Sequence, residues 1–221
     1  VLLVEADMRR RTLASLLNVR PAAGAYSVLT DATPLGAAIA TTTTPNLYFL
    51  DIEPNIPNPA DILSSKRYRK LVGLLEDTYD YVVLHDGARP LISRELVDHT
   101  ISVLKGNIDC DGAVVGHPSI DTLKIVDGDN IVETPPRELY WAAQTPQIFS
   151  VDAMKRAHAA AIAEGFIGTD DSSLVERMGG RVRCVQSPRD NLKVTVPEDL
   201  RPVTAILLGR MAEGEDLPHV Q

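Results

Sequence analysis

The chain has 221 residues, of which 44% are hydrophobic and 24% are charged, a composition typical of an ordinary globular protein with one α/β domain or two small ones. Its net charge of -8 argues against a nucleic-acid-binding protein, because affinity for nucleic acids depends mainly on clustered Lys and Arg. No apolar run approaches the roughly 20 residues of a membrane-spanning helix and no leader-like segment is visible, so we predict a cytoplasmic protein without a membrane span.

The N-terminal third opens with an apolar strand, "VLLVEAD", that ends in two acidic residues, Glu5 and Asp7. A helix over "RRTLASLLN", a strand over "NLYFLDIE" and a long amphipathic helix over "ADILSSKRYRKLVGLLEDT" are predicted to follow. Strands that alternate with helices are typical of a mostly parallel sheet covered on both faces.

The remainder of the chain continues this alternation. Ser93 and Ser150 are predicted to cap helices that end at Gly106 and Gly165. Pro202 would kink the last helix unless that helix effectively begins there. Strands are predicted over "YDYVVLHD", "DGAVVGHP" and "VRCVQS", a β-hairpin over "TLKIVDGDNIVET", and a short helix over "TDDSSLVERMGG". The sequence therefore predicts an α/β fold with a three-layer, mainly parallel Rossmann-like sheet and a β-hairpin arm.

The segment HDGARP, residues 85 to 90, places a carboxylate and a cation just past the end of a predicted strand. In open α/β sheets the carboxyl ends of the strands line the ligand crevice, so Asp86 could hold Mg²⁺ or a hydroxyl group. Arg89 could bind a phosphate. A loop with a surface ion pair is the alternative interpretation of the same residues.

Four further motifs follow in the sequence: DTLK, PPRELYWAAQTPQIF, GTDDSSLVE and RDNLKVTVPEDL. Together with HDGARP they strongly resemble the 2-C-methyl-D-erythritol 4-phosphate cytidylyltransferases, from about residue 81 to residue 200. The resemblance implies a Mg²⁺-dependent enzyme that joins methylerythritol 4-phosphate to the α-phosphorus of CTP and releases pyrophosphate. Positioning and charge neutralisation would supply most of the catalysis, because the attacking phosphate oxygen is already ionised.

The resemblance also implies roles for individual side chains. Asp86 and Arg89 would contact the sugar phosphate and the metal region, and Thr122 would line the same pocket. Thr145 and Thr169 would form hydrogen bonds with the substrate. For Thr169 a helix N-cap is an alternative that is compatible with this role.

Two cationic residues are implied to act on the substrate phosphate. Lys193 would orient the attacking phosphate, with a surface ion pair as the alternative. Arg137 would reach the partner subunit's site from an extended arm, with a solvated side chain as the alternative. The resemblance thus implies a homodimer whose arms, roughly residues 122 to 145, cross between subunits.

Residues 1 to 80 resemble a different family, the bacterial tyrosine autokinases of capsule polysaccharide export, which are P-loop ATPases. The resemblance rests on "VLLVEADMRRRTL" and "PNPADILSSKRYRKLV". It implies that Asp7 approaches Mg²⁺, while Glu5 stands where that family usually has Asp. The sequence therefore looks like a chimera, with a cytidylyltransferase-like segment over residues 81 to 221.

Neither family's nucleotide-binding loop is recognisable within the 221 residues. "PAAGAYSVL", residues 21 to 29, is similar to the Gly-rich CTP loop but lacks its second Gly, its Arg and its Lys, and we interpret the match as coincidence. We therefore expect impaired use of CTP. Three alternative functions stay open: a fragment of a P-loop tyrosine kinase, a non-catalytic interaction module, and a ribitol-5-phosphate cytidylyltransferase.

Overall fold

The computed structural model describes residues 1–6, 8, 13–58, 61, 62 and 65–213. The predicted metal-binding residue Asp7 lies outside the described residues. The chain divides into two compact units, one from Val1 to Thr78 and the other beginning at Tyr79. Each unit has its own sheet. Within the described ranges, no helix combines the length and the apolar character needed to cross a membrane.

The first unit contains a small three-stranded sheet. Its elements are β1 (Leu2–Val4), α1 (Leu13–Leu16), α2 (Ala25–Leu29), α3 (Leu35–Ala38), β2 (Ile39–Thr41), β3 (Tyr48–Leu50) and α4 (Lys66–Glu76). The strand order is β1-β3-β2, with β1 parallel and β2 antiparallel to β3. Leu50, Ile52 and Leu71 belong to the core of this unit.

A carboxylate holds the N-terminal end of α2. The backbone N–H groups of Gly24, Tyr26 and Ser27 donate to the Glu53 carboxylate over 2.8, 2.8 and 2.9 Å. A Cβ atom at position 24 would lie 2.7 Å from the Asp51 carbonyl oxygen, so the close approach requires glycine. The segment that resembles a CTP loop therefore directs these N–H groups to a side chain of its own unit.

The second unit contains a four-stranded sheet and a separate two-stranded arm. Its elements are β4 (Tyr81–Leu84), α5 (Arg94–Lys105), β5 (Gly112–Pro118), β6 (Ile125–Asp127), β7 (Asn130–Glu133), β8 (Trp141–Ser150), α6 (Val151–Glu164), α7 (Asp171–Arg177), β9 (Val182–Gln186) and α8 (Leu200–Glu213). The strand order is β4-β8-β5-β9, and β6 pairs with β7 to form the predicted hairpin.

Helices cover both faces of this four-stranded sheet. Ala113 and Val115 of β5 pack in one cluster with Leu96 of α5, whereas the intervening Val114 packs in another cluster with Met154 of α6. Successive strand residues point to opposite faces, so α5 lies on one side of the sheet and α6 on the other. The predicted α/β class is confirmed, and this unit has the predicted three layers.

The predicted mainly parallel strand arrangement is wrong for the described strands. The ten-residue strand β8 was not predicted, and it runs antiparallel between β4 and β5. Among the described strands, the parallel pairs are β1 with β3 and β5 with β9, and the other pairs are antiparallel. Pro146 lies within β8, and a proline lacks the N–H group that a central strand needs. The ladder accommodates it by a register shift, in which Val114 pairs with Gln147 and Gly116 with Ala143.

The predicted caps of α5 and α6 agree with the structure. The hydroxyl groups of Ser93 and Ser150 accept N–H groups of the first turns of α5 and α6, and Gly165 ends α6 with a positive φ of 65°. Helix α8 begins at Leu200, so Pro202 lies in its first turn. The kink considered for Pro202 does not arise, because a proline there displaces no intrahelical hydrogen bond.

Candidate functional site

The loop that follows β4 carries a carboxylate between two cations. Asp86 Oδ2 lies 3.0 Å from Lys193 Nζ and 3.5 Å from Arg89 Nε. The Asp86 side chain is 35% exposed and that of Lys193 45%, so both can meet a ligand from solvent. The structure therefore brings together three of the sequence-predicted site residues at the carboxyl end of β4.

Arg89 is the buried member of this group. Its guanidinium donates from Nη1 to the Asn191 carbonyl oxygen over 2.8 Å, and only 10% of its side chain is exposed. Three buried side-chain atoms have no hydrogen-bond partner among the described residues, and they cluster here: Arg89 Nε, Asp190 Oδ1 and Asn191 Oδ1. Unsatisfied buried polar atoms are costly, so water or a ligand is expected to reach these three.

Thr145 takes part in a chain of hydrogen bonds around this loop. The Asp86 N–H group donates to Thr145 Oγ1 over 3.0 Å, and Thr145 Oγ1 lies 3.2 Å from His85 Nδ1. His85 Nε2 lies 3.1 Å from the Arg89 carbonyl oxygen, which can only accept, so Nε2 carries the proton and Nδ1 accepts from the Thr145 hydroxyl. The Thr145 proton is then already donated within the protein.

Burial favours the neutral form of the His85 ring. Desolvation of the ring lowers the pKa of His85, and this effect outweighs the opposing influence of its hydrogen bond to Arg89 and of the Asp86 charge. A neutral ring is the form that accepts a proton at Nδ1 and donates one at Nε2. Thr145 consequently supports the Asp86 loop, and only a lone pair of its hydroxyl is left for a substrate.

Thr169 does not cap the helix that follows it. The cap of α7 is Asp170, whose side chain accepts the Ser173 N–H group over 3.0 Å. Gln147 Nε2 also donates to Asp170 over 2.9 Å and thereby ties the helix to β8. Thr169 is exposed beside this cap, so its implied contact with substrate stays a prediction while the N-cap alternative is wrong.

The arm carries the two remaining predicted residues. Arg137 is exposed and donates from Nη1 to the Ile120 carbonyl oxygen over 3.0 Å. Thr122, two residues after Ile120, is also exposed. Within the part of the chain that the structure describes, no hydrogen bond or ion pair joins either side chain to Asp86, Arg89 or Lys193. A single chain thus leaves the arm residues outside the Asp86 group.

Several polar residues of the site were missed by sequence reasoning. His85, Gln144 and Asn191 join the predicted residues Thr145 and Arg89 in hydrogen-bond networks. Gln144 and Asn191 are 8% and 1% exposed, and a single sequence gives no signal that such amides lie in the interior. The available hint was that His85 is the first residue of HDGARP and that Asn191 lies two residues before Lys193.

Asp86 is the carboxylate that could help hold a metal ion here. The described residues contain no group of three or more His, Cys, Asp and Glu arranged to hold a metal ion. Mg²⁺ commonly takes one or two carboxylates and completes its shell with water and substrate phosphates. The single Asp86 carboxylate fits that mode, with ligand phosphates supplying the remaining oxygens.

Comparison with known proteins shows a similarity that begins near the end of the first unit and covers most of the second. The family model of 2-C-methyl-D-erythritol 4-phosphate cytidylyltransferase matches residues 68–209. The enzyme of that name from Caldanaerobacter subterraneus subsp. tengcongensis is 44% identical over 130 residues, which are 58% of this chain and 56% of that protein. The chain therefore spans about half the length of the curated relatives it matches.

Two solved structures show a similar fold. The 4-diphosphocytidyl-2C-methyl-D-erythritol synthase of Anaerococcus prevotii is 27% identical with a TM-score of 0.58, covering 74% of this chain and 71% of that one. The 2-C-methyl-D-erythritol 4-phosphate cytidylyltransferase of Thermus thermophilus is 30% identical with a TM-score of 0.54, covering 77% of each chain. These neighbours support the predicted Rossmann-like fold.

Proposed function

Because the chain belongs to the 2-C-methyl-D-erythritol 4-phosphate cytidylyltransferase family, we propose that its second unit binds methylerythritol 4-phosphate and is built for transfer of that phosphate to CTP. The observation that carries this proposal is the group formed by Asp86, Arg89 and Lys193 at the carboxyl end of β4. Two cations at a strand end favour a phosphate ester, and a carboxylate beside them favours its hydroxyl groups.

In the proposed reaction a phosphate oxygen of methylerythritol 4-phosphate attacks the α-phosphorus of CTP. The bond between the α-phosphorus and the bridging oxygen breaks, and pyrophosphate leaves. Lys193 would hold the attacking phosphate and neutralise its charge. Arg89 would add its positive charge to the phosphate site and keep the loop of Asp86 in place through its bond to Asn191. Bound Mg²⁺ would neutralise charge on the CTP phosphates, with Asp86 as its protein ligand.

We propose further that a partner subunit completes the site. The arm exposes a series of large apolar side chains: Ile125, Val126, Ile131, Val132, Leu139, Tyr140 and Trp141. Exposed apolar surface of this kind marks an interaction site, and a second copy would bury it and bring Arg137 to the substrate phosphate. We expect a homodimer in sedimentation at micromolar concentration; a monomer at that concentration contradicts the proposal.

The substrate is tested by calorimetric titration in the presence of MgCl₂. Methylerythritol 4-phosphate is expected to bind weakly but measurably, and ribitol 5-phosphate is expected to bind more weakly. Tighter binding of ribitol 5-phosphate would favour the ribitol-5-phosphate alternative. Absence of binding by both would contradict the proposed function and favour a non-catalytic interaction module.

A second candidate concerns only the first unit. Buried Glu5 and Asp51 directly follow the adjacent parallel strands β1 and β3, and P-loop ATPases bind metal and nucleotide at such strand ends. Under the autokinase-like interpretation of residues 1 to 80, these carboxylates would serve a nucleotide and its metal ion. The test is binding of ATP with MgCl₂ by the same calorimetry, and unchanged heats on addition of ATP would remove this candidate. The chimeric origin and the cytoplasmic location stay predictions.

A further inference from the structure

Asn191 lies at the centre of a buried polar network beside the site. Its side-chain Nδ2 donates to Gln144 Oε1 and to the Thr145 carbonyl oxygen, over 3.0 Å in both cases. Gln144 Oε1 also accepts from the Ser187 hydroxyl over 2.8 Å. Both protons of the Asn191 amide are thus donated to carbonyl oxygens, at a position that is 1% exposed.

The main chain around Asn191 is fixed to the Asp86 loop as well. The Asn191 carbonyl oxygen accepts from Arg89 Nη1 over 2.8 Å, and the Val194 N–H group donates to the Ala88 carbonyl oxygen over 2.8 Å. Lys193 lies between these two attachment points, and its Nζ atom reaches Asp86. The segment that carries Lys193 is therefore held to β8 by a side chain and to the loop by its backbone.

We infer that Asn191 is a positioning residue that holds Lys193 and Arg89 in the geometry in which they meet the substrate phosphate. The inference rests on the proposed function, because that function assigns the two cations to a phosphate ester. The carboxamide itself is required: an alanine leaves two buried acceptors without donors, and an aspartate places a carboxylate against two carbonyl oxygens. Asn191 acts through its neighbours, since its amide protons are used within the protein.

A double-mutant cycle on binding of methylerythritol 4-phosphate tests the inference. Asn191→Ala is expected to weaken binding about 10-fold, and Lys193→Ala about 10-fold or more. The fold-loss of affinity in the double variant is expected to be clearly smaller than the product of the fold-losses in the two single variants. The reason is that removing Lys193 takes away most of what Asn191 positions. Losses that multiply, or an Asn191→Ala variant with unchanged affinity, would overturn the inference.

The control is Asn107→Ala. Asn107 Nδ2 donates to the Val103 carbonyl oxygen at the last turn of α5, a helix that begins near the site and runs away from it. This variant is expected to lose stability without losing affinity. If Asn191→Ala does not fold, Asn191→Ser keeps one donor and is expected to show an intermediate loss in the same cycle.

A measurement without ligand separates this inference from the proposed function. Asn191→Ala is expected to lower the hydrogen-exchange protection of the Val194 amide at least about 10-fold, and Asn107→Ala to leave it unchanged. If the wild-type chain does not bind methylerythritol 4-phosphate, the proposed function fails, and the Val194 amide still decides whether Asn191 fixes the segment. Unchanged protection in Asn191→Ala would overturn the positioning role.

Discussion

The two units place carboxylates at equivalent points of their sheets and use them differently. In the first unit, Glu5 follows β1, is 5% exposed, and accepts the Leu13 N–H group at the start of α1 over 3.0 Å. In the second unit, Asp86 follows β4, is partly exposed, and faces the side chains of Arg89 and Lys193. A carboxylate at the end of a strand can therefore form a binding site. Its hydrogen-bond and ion-pair partners determine whether the carboxylate holds the backbone or stays accessible to a ligand.

The two units also differ in the segments that resemble binding loops, residues 21 to 29 in the first unit and residues 85 to 90 in the second. The N–H groups at the start of α2 are bound to Glu53, whereas the Asp86 loop leaves a carboxylate and a lysine partly exposed. The family match begins at residue 68 and covers the second unit to residue 209. We therefore expect substrate binding to follow changes in the second unit and stability to follow changes in the first.

The largest expected effect concerns turnover. The 221-residue chain is expected to form little or no cytidine diphosphate product from CTP and to phosphorylate no tyrosine, because neither nucleotide loop is recognisable in it. Replacing residues 1 to 78 with a family Gly-rich strand and loop should raise pyrophosphate release at least about 100-fold, since preorganised donors of that kind contribute about this much. Pyrophosphate release and product chromatography measure both chains.

The grafted chain carrying Lys193→Ala is the control, and it should stay inactive. Robust CTP-dependent turnover by the unmodified chain would contradict the conclusion that only the second unit binds substrate. It would show that residues 1 to 78 supply a nucleotide site.

The next largest effect concerns the substrate phosphate. Arg137→Ala should weaken binding of methylerythritol 4-phosphate by about 10- to 150-fold, the equivalent of a charge-assisted contact of about 1.5 to 3 kcal/mol. Calorimetry measures the affinity. Lys105→Ala is the matched control, because α5 carries Lys105 about 16 Å from its start near the site. Equal affinity of Arg137→Ala and Lys105→Ala would remove the arm from the site.

The smallest expected effect concerns Glu53 and the stability of the first unit. Burial raises the pKa of Glu53, but hydrogen bonds from Ser27 and Gly24 outweigh it and hold the pKa below its ordinary value of 4.5. A lowered pKa means that the ionised carboxylate stabilises the folded unit above about pH 4.5, and that this contribution is lost as the pH falls through the folded-state value. Glu53→Gln should cost about 1 kcal/mol at neutral pH and flatten this dependence.

Hydrogen-exchange protection of the Tyr26 and Ser27 amides at about pH 6 and about pH 3.5 measures this effect. Asp31→Asn is the control, because the Asp31 carboxylate is 81% exposed and 4.0 Å from Arg67. A wild-type chain whose protection changes with pH no more than that of Glu53→Gln would contradict the assigned role of Glu53.

Local signals predicted the ends of elements well. Ser93 and Ser150 cap helices as expected, since a hydroxyl group at an N-cap satisfies a donor wherever the helix packs. Strand β8 escaped prediction because Pro146 and the polar residues around it break the apolar pattern of a central strand. Because β8 runs antiparallel to both of its neighbours, the prediction of a mainly parallel sheet was wrong.

The candidate site was predictable where charge marked it. Asp86, Arg89 and Lys193 stand in motifs that a strand end brings together, and the structure has them in contact. Gln144 and Asn191 were not predictable, because their importance arises from burial that only the folded register of β8 creates. Thr145 shows a subtler limit: its position was expected, but the direction of its hydroxyl proton follows from the His85 ring.

The central place of β8 also has a consequence for the order in which the chain can fold. Tyr81 of β4 pairs with Ser150, and Gly112 of β5 pairs with Phe149, so both earlier strands lack their partner until a segment much later in the chain has been made. Such non-local pairing slows folding and leaves apolar strands unpaired in the meantime. During synthesis, the apolar strands β4 and β5 would depend on chaperones or on the adjacent helix α5 until β8 leaves the ribosome.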